Sequence, residues 1–290
     1  FISGTSNFLN KIAVTGIRDP IFYATLKNTL VAIALLGTII AVRQWRTIRM
    51  CSRRQWALLV TIGIIGGSVP FALFFTGLTM TSALNAALIH KTLVLWVALL
   101  AIPLLRERMG KVQWLGVAAL FAANLLVGGF QGFRYNTGEL FILIATILWA
   151  VENIVAKVAL RDIPSSVVAG ARMTIGSLAL LAYILWKNPA APATLAHLTT
   201  AQWGWILLTG VLLFGYVLTW YRALALAPAT YVATLLVPAT LVTNTLSAIF
   251  LTHTFAGMQV MSAGLMLVGT IIVVAASRRQ SPIPISMSAT

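Results

Sequence analysis

The sequence predicts an all-α integral membrane protein with ten transmembrane helices, arranged as two inverted five-helix repeats. Three observations predict it. Of 290 residues, 60% are apolar and only 9% are charged, with a mean hydropathy of +0.95. A soluble domain is nearer half apolar and a quarter charged, and so few charges leave too little polar surface to face water. The apolar residues fall into runs of about 20, the length that spans a hydrocarbon core roughly 30 Å thick. Two pairs of stretches also resemble each other across the midpoint of the chain.

Taken in order, the runs lie near 1–17, 20–42, 56–78, 83–105, 112–130, 139–160, 165–186, 203–226, 230–251 and 258–276. The chain opens at Phe1 without a Met, already inside an apolar stretch, so an upstream part of the first helix is expected to precede it. Pro20 starts the second run. The third carries Gly63 and Gly67, one GxxxG packing pair, and then Pro70. The fourth contains the adjacent pair His90-Lys91 and Pro103. Linkers such as "LRERMGK" and "ALAPAT" are short, and the longest, "KNPAAPATLAHLTTAQ", reads as a surface loop. The ninth run is expected to kink at Pro238, which leaves the carbonyl of Thr234 without its helical donor; Pro70 and Pro103 invite the same effect. The tail "SPIPISMSAT" reads as unstructured, and residues 278–290 are expected to form a cytoplasmic tail.

The net charge of +15 is explained by topology rather than by nucleic acid. With the first helix starting in the cytoplasm, one side carries Arg43, Arg46, Arg49, Arg53, Arg54, Arg106, Arg108, Lys111, Arg161, Arg278 and Arg279. The other carries Arg18, Arg134 and Lys187. That is a positive-inside bias, with both termini cytoplasmic, and the basic side is expected to contact lipid headgroups. Cys51 is the single cysteine, which excludes an intrachain disulfide.

The internal repeat sets the architecture. "SNFLNKIAVTGIRDPIFYATLK" parallels "ENIVAKVALRDIPSSVVAGAR", placing Ser6-Asn7 on Glu152-Asn153, Lys11 on Lys157 and Lys27 on Arg172. Residues 83–114 run beside 229–260 without a gap. The chain therefore divides into halves at about 1–130 and 137–277, and five spans per half turn the second upside down relative to the first. Secondary transporters are built in this way, with the substrate near the midplane where the halves meet. Channels also use inverted repeats, so a gated channel or a membrane sensor stays open as an alternative.

With these motifs the chain resembles the drug/metabolite transporter superfamily, in particular its EamA-type members. The resemblance rests on "SNFLNK" and "ENIVAK", on "RDP" and "RDIP" just after them, on the basic residues Lys27 and Arg172, and on "LLRERMGKVQWLG" ending the fourth helix. The chain departs from the family at two places: His253 stands where the second half often has Glu, and Val237-Pro238 replaces a frequent Glu-Pro. The resemblance implies a proton- or gradient-driven carrier of the inner membrane, often an exporter, of small polar metabolites such as amino acids. Other branches of the superfamily move sugar nucleotides and phosphorylated sugars, so exchange of organic anions is the alternative.

Charged groups inside a bilayer are costly unless they face protein or water. Lys157 and Arg222 lie within about a turn of the inner boundary, and Lys11 lies near the outer end of its helix; snorkelling to the headgroups accounts for all three. Lys27 sits about 10 Å past Pro20, and Arg172 equally far past Ser165 from the opposite face. Lys91 is about 12 Å deep, too far to snorkel without strain. No acid of the first half lies at that depth, so Lys27 and Lys91 either attract an anionic group of a substrate or sit neutral against helix carbonyls. His90 lies about 100° round the helix from Lys91, and packing against a neighbouring helix competes with substrate contact.

Glu152 is the one deep acid. Trp149, Glu152, Asn153 and Ala156 share one helical face by i, i+3, i+4 and i+7 spacing. Arg172 is the expected counter-ion, either in a structural bridge to Glu152 or beside a carboxylate that binds a substrate ammonium or takes up a coupling proton. Lysine and glutamate from opposite halves would together hold a zwitterion. Thr240, Asn244 and Ser247 form a polar stripe that either lines a cavity or glues helices. Trp149, Trp220 and Tyr221 either stack on substrate or anchor span ends. There is no GxxxxGK[ST], HExxH or GxSxG motif and no Cys/His cluster, so no cofactor, metal or enzymatic activity is expected. The partners expected are a small-molecule substrate and membrane lipid, with proton coupling, in a monomer or homodimer.

Overall fold

The computed structural model describes residues 1–15, 19–81, 83–127, 136–247, 249–250 and 257–280. The side chains of several residues inside these helices, among them Lys11, Thr240, Asn244 and Ser247, lie outside the described ones, as does His253. Among the described residues the regular structure is helical. The elements are α1 (Ile2–Thr15), α2 (Pro20–Ala41), α3 (Trp45–Arg49), α4 (Arg53–Gly67), α5 (Val69–Met80), α6 (Ala83–Lys91) and α7 (Leu93–Leu105). They continue with α8 (Lys111–Val127), α9 (Thr137–Ala159), α10 (Ser165–Lys187), α11 (Thr200–Leu226), α12 (Ala229–Thr234), α13 (Ala239–Ser247) and α14 (Gly257–Gln280). A 3₁₀ turn, Ala191–His197, occupies the long loop after α10.

Local chemistry sets the helix starts. Asp19 caps α2 by accepting from the amides of Ile21 and Phe22 at 2.9 and 3.1 Å, and Pro20 takes the first helical position, where no donor is needed. Ser52 with Gln55, and Thr199 with Gln202, form capping boxes at α4 and α11. Asn136 caps α9 through the amide of Glu139 at 2.9 Å.

Among the described residues, six helical stretches are long and apolar enough to cross a membrane: Pro20–Ala41, Arg53–Gly77, Leu88–Leu105, Thr137–Ala159, Ser165–Lys187 and Thr200–Leu226. Their outward faces expose Ile33, Leu99, Leu104, Val211 and other large apolar side chains. Such continuous apolar surface suits lipid and not water. The protein is a multi-pass membrane protein.

Three of the runs read as continuous spans are interrupted. The run at 56–78 breaks at Ser68, whose backbone (φ −129°, ψ −73°) leaves the helical region between α4 and α5. The run at 83–105 breaks at Thr92, where a tight turn brings the amide of Thr92 to the carbonyl of Ile89 at 3.0 Å and its hydroxyl to the same carbonyl at 2.6 Å. The third break, at residues 235–238, ends α12 at Thr234 and starts α13 at Ala239. Pro238 has no N–H to give Thr234, and the amide of Val237 takes that carbonyl instead at 3.1 Å. In the ungapped register of 83–114 on 229–260, Thr92 falls on Pro238.

Helix α9 is the hub. It packs against α4, α5, α6, α7, α11 and α12, while α2 pairs with α10 and α8 pairs with α14. Glycine permits two close crossings. A Cβ on Gly67 would run into the backbone carbonyl of Arg172, and one on Gly116 would lie 3.1 Å from the carbonyl of Gly269. The Gly63 and Gly67 pair therefore seats α4 on α10, against Ile175, Arg172 and Gly176.

Candidate functional site

The site begins with a carbonyl that proline leaves free. In a continuous helix the amide of residue 70 would donate to the carbonyl of Gly66, but Pro70 has no amide hydrogen. Two side chains from other helices take the vacancy. The indole of Trp149 on α9 donates to Gly66 O at 3.0 Å, and Arg172 Nη2 on α10 donates to it at 3.1 Å. Gly66 itself has to lack a side chain, because a Cβ there would strike the side chain of Glu152 and lie 3.1 Å from Arg172 Nε.

Glu152 and Arg172 thus flank the same glycine and are both buried. Of the two arrangements open from sequence, a direct Glu152–Arg172 bridge is not among the described contacts, in which the two residues are linked through Gly66 and Tyr221. The hydroxyl of Tyr221 on α11 donates to Glu152 Oε1 in a short hydrogen bond. The Arg172 guanidinium lies 5.9 Å from the centre of the Tyr221 ring and 6.0 Å from that of Phe71. Arg172 Nε has no hydrogen-bond partner. The next residue of the face, Asn153, accepts from the indole of Trp220 at 3.2 Å and donates to the carbonyl of Trp149 at 2.8 Å.

Aromatic rings wall this polar centre. The Trp149 ring meets Phe71 edge-on at 5.5 Å, Phe74 at 5.6 Å and His90 at 5.0 Å, and Tyr216 stacks on Trp220 at 5.8 Å. Trp149, Trp220 and Tyr221 are buried partners of the polar groups, not anchors at span ends. His90 is held between Phe74 and Trp149, and its Nδ1 has no hydrogen-bond partner.

Lys91 follows His90 but turns the other way, as the 100° step between neighbours requires. Its ammonium reaches the carbonyl of Leu236 at 3.4 Å, inside the break between α12 and α13. The break that ends α6 is therefore tied to the register-matched break of the later helix.

Lys27 lies elsewhere. Its Nζ donates to Asn10 Oδ1 at 2.8 Å and sits 4.9 Å from the centre of the Tyr23 ring; the Tyr23 hydroxyl shares Asn10 at 2.8 Å and Thr209 at 2.6 Å. Thr209 and Tyr221 are twelve residues apart on α11, about 18 Å along the axis. Lys27 and Lys91 therefore have two separate placements. The structure gathers Trp149, Glu152, Asn153, Arg172 and His90 in one cluster, adjoins Lys91 to it and sets Lys27 apart. The side chain of Asn244 lies outside the described residues.

Snorkelling is also corrected for Lys157. Its ammonium donates to the carbonyls of Leu224 and Ala227 at 2.6 and 2.8 Å, closing the carboxyl end of α11. Beside it, Glu107 accepts from the amides of Ala229 and Thr230 at 2.7 and 3.0 Å, and from the Thr230 hydroxyl at 2.8 Å. Pro228 has no capping side chain, so a carboxylate from the loop between α7 and α8 supplies the cap of α12. Sequence reasoning left Glu107 at a span end. It also missed Gly66, although Pro70 four residues on was the signal for its free carbonyl.

Comparison with known proteins bears on the family and the fold. Uncharacterized transporter YyaM of Bacillus subtilis is 30% identical over 158 residues, covering 52% of this chain and 51% of that protein. Uncharacterized transporter sll0355 of Synechocystis is 26% identical over 239 residues, covering 74% of this chain and 68% of that protein. The chain spans about half the length of the first of these relatives. A solved crystal structure superposes with a TM-score of 0.77 at 18% identity, covering 96% of this chain and 97% of its own, which speaks for the fold alone. The sequence model of the EamA-like transporter family matches residues 1–129 and 136–275. Matched over nearly its whole length, the chain belongs to the EamA-like transporter family.

Proposed function

We propose that the protein is a secondary active transporter of the inner membrane. Its ten transmembrane helices form two inverted five-helix halves that work by alternating access, and both termini are cytoplasmic. Its cargo is a small polar or zwitterionic metabolite such as an amino acid, moved outward. The observation that carries this reading is the buried Glu152–Tyr221–Arg172 cluster around the free carbonyl of Gly66. It joins helices of both family-matched segments, next to interrupted helices of the kind that build transporter sites. A buried acid and a buried base held apart present one group to each end of a zwitterion, inside aromatic walls that exclude water.

The excess of buried cations favours a second reading. Lys27, Lys91 and Arg172 outnumber the buried acids Glu139 and Glu152, which suits the exchange of organic anions such as sugar phosphates. Reconstitution into liposomes tests both readings. A carrier gives saturable uptake with counterflow, and amino acids against sugar phosphates decide the class. Large single-channel currents would sink the carrier reading, and a pH jump across the vesicle membrane tests proton coupling.

A further inference from the structure

At the end of α2 the chain builds a feature apart from the Glu152 cluster. Ile40, Trp45, Ile48 and Arg49 line an open groove of about 460 Å³. The turn that forms it is closed by the amide of Gln44 on the carbonyl of Ile39 at 2.9 Å and that of Arg43 on Ile40 at 3.0 Å. This is a helix-ending motif whose left-handed position normally holds glycine. Here it holds Arg43, at φ 58°, a conformation that a side-chain-bearing residue rarely adopts. Gln44 also bonds Ser166 at the start of α10, which fixes the turn to the body of the protein.

The turn folds Trp45 back under Ile40, and two guanidinium groups gather over its indole. Arg49 lies 4.5 Å and Arg46 5.7 Å from the ring centre. Both arginines are exposed, as are Arg43, Arg53 and Arg54 around them. No Asp or Glu occurs in the sequence between Asp19 and Glu107. The groove walls, in contrast, are apolar, and Ile40 is 64% exposed at the end of a membrane-spanning helix. A mouth of stacked guanidiniums above an apolar trough matches one kind of molecule: an anionic phosphate carrying acyl chains. Arginine forks bind phosphate oxygens in pairs, and stacking on an aromatic ring holds the fork in place.

We propose that this groove is a binding site for one anionic phospholipid, with its phosphate on Arg46 and Arg49 and an acyl chain along Ile40 and Ile48. The site is distinct from the diffuse attraction that any basic membrane surface exerts. In the orientation proposed above it lies in the cytoplasmic leaflet, yet the site itself does not depend on the direction or the substrate of transport.

Native mass spectrometry of the full chain, with phosphatidylglycerol or phosphatidylcholine added in detergent, tests the proposal. One phosphatidylglycerol is expected to be retained in preference to phosphatidylcholine. Combining Arg46→Gln with Arg49→Gln should weaken that retention roughly ten- to thirty-fold. Removing the same charge elsewhere, by Arg108→Gln with Lys111→Gln, should leave it in place, and Ile40→Glu should lower it without touching an arginine. Equal retention of the two lipids, or equal loss in the two arginine- and lysine-depleted proteins, would overturn the site and leave bulk charge as the explanation.

Discussion

Glu152 has its oxygen held by the hydroxyl of Tyr221 and its carbon chain against Gly66, so its substitutions read two different things. Glu152→Gln keeps shape and removes charge. It should abolish substrate uptake in liposomes while the purified protein keeps its elution profile and helical content. Tyr221→Phe removes the donor and leaves the carboxylate, and should lower transport by about tenfold, the scale of one lost hydrogen bond to a charged group. Wild-type uptake by both would remove the cluster from the transport path. The face holding Trp149, Glu152, Asn153 and Ala156 was legible in the spacing, because a helix buries every third and fourth residue together. Tyr221 as the partner of Glu152 was not, since 69 residues separate the two and only packing brings α9 and α11 side by side. Lys157 was misread for the same reason. Depth along its own helix pointed to headgroups, but the open carbonyls of α11 lie closer.

Two of the helix breaks lie beside a proline that leaves a carbonyl without its helical donor, and function is proposed beside the first of them. Pro70→Ala restores a donor to the carbonyl of Gly66, in competition with Arg172 and Trp149. Helical content should hold or rise slightly while transport falls; full transport would show that the free carbonyl is incidental. Gly176→Ala tests the crossing beneath it. Its Cβ would meet the backbone of Gly67, which cannot yield as a flexible side chain can. A stability loss of about 1–3 kcal/mol is expected for overpacking at such a contact, read as a lower midpoint in thermal unfolding. The break at Pro238 was legible, because a missing N–H is written in the residue type. The break at Thr92 was not: threonine usually continues a helix, and here its amide and its hydroxyl both close a tight turn on the carbonyl of Ile89.

For the molecule as a whole, orientation is the property that charge predicts and a single cysteine can report. Cys51 lies between α3 and α4, at the basic boundary, half-buried, with its thiol donating to the carbonyl of Thr47 at 3.3 Å. Burial pushes the Cys51 thiol up from its ordinary value. A raised pKa means less thiolate at neutral pH and more as pH rises, so labelling should quicken toward alkaline pH, later than for free cysteine. A membrane-impermeant maleimide should label the protein in permeabilised cells and not in intact ones. Met50→Cys, at a site 83% exposed, gives the same answer without the burial. Labelling of intact cells would reverse the proposed topology.

By itself the sequence determined the class of the protein, the positions of its apolar runs and the face on which Glu152 lies. Each follows from residue type and local spacing, because hydrocarbon thickness and helical pitch are constants. Only the tertiary structure decided which groups meet. It paired Glu152 with Tyr221, gave Gly66 to Trp149 and Arg172, sent Lys91 to the carbonyl of Leu236, and parted Lys27 from all of them. In a low-dielectric interior a polar group without a partner is costly. Which partner it finds depends on which helix lies alongside, and that is a property of the packed bundle rather than of any stretch of chain.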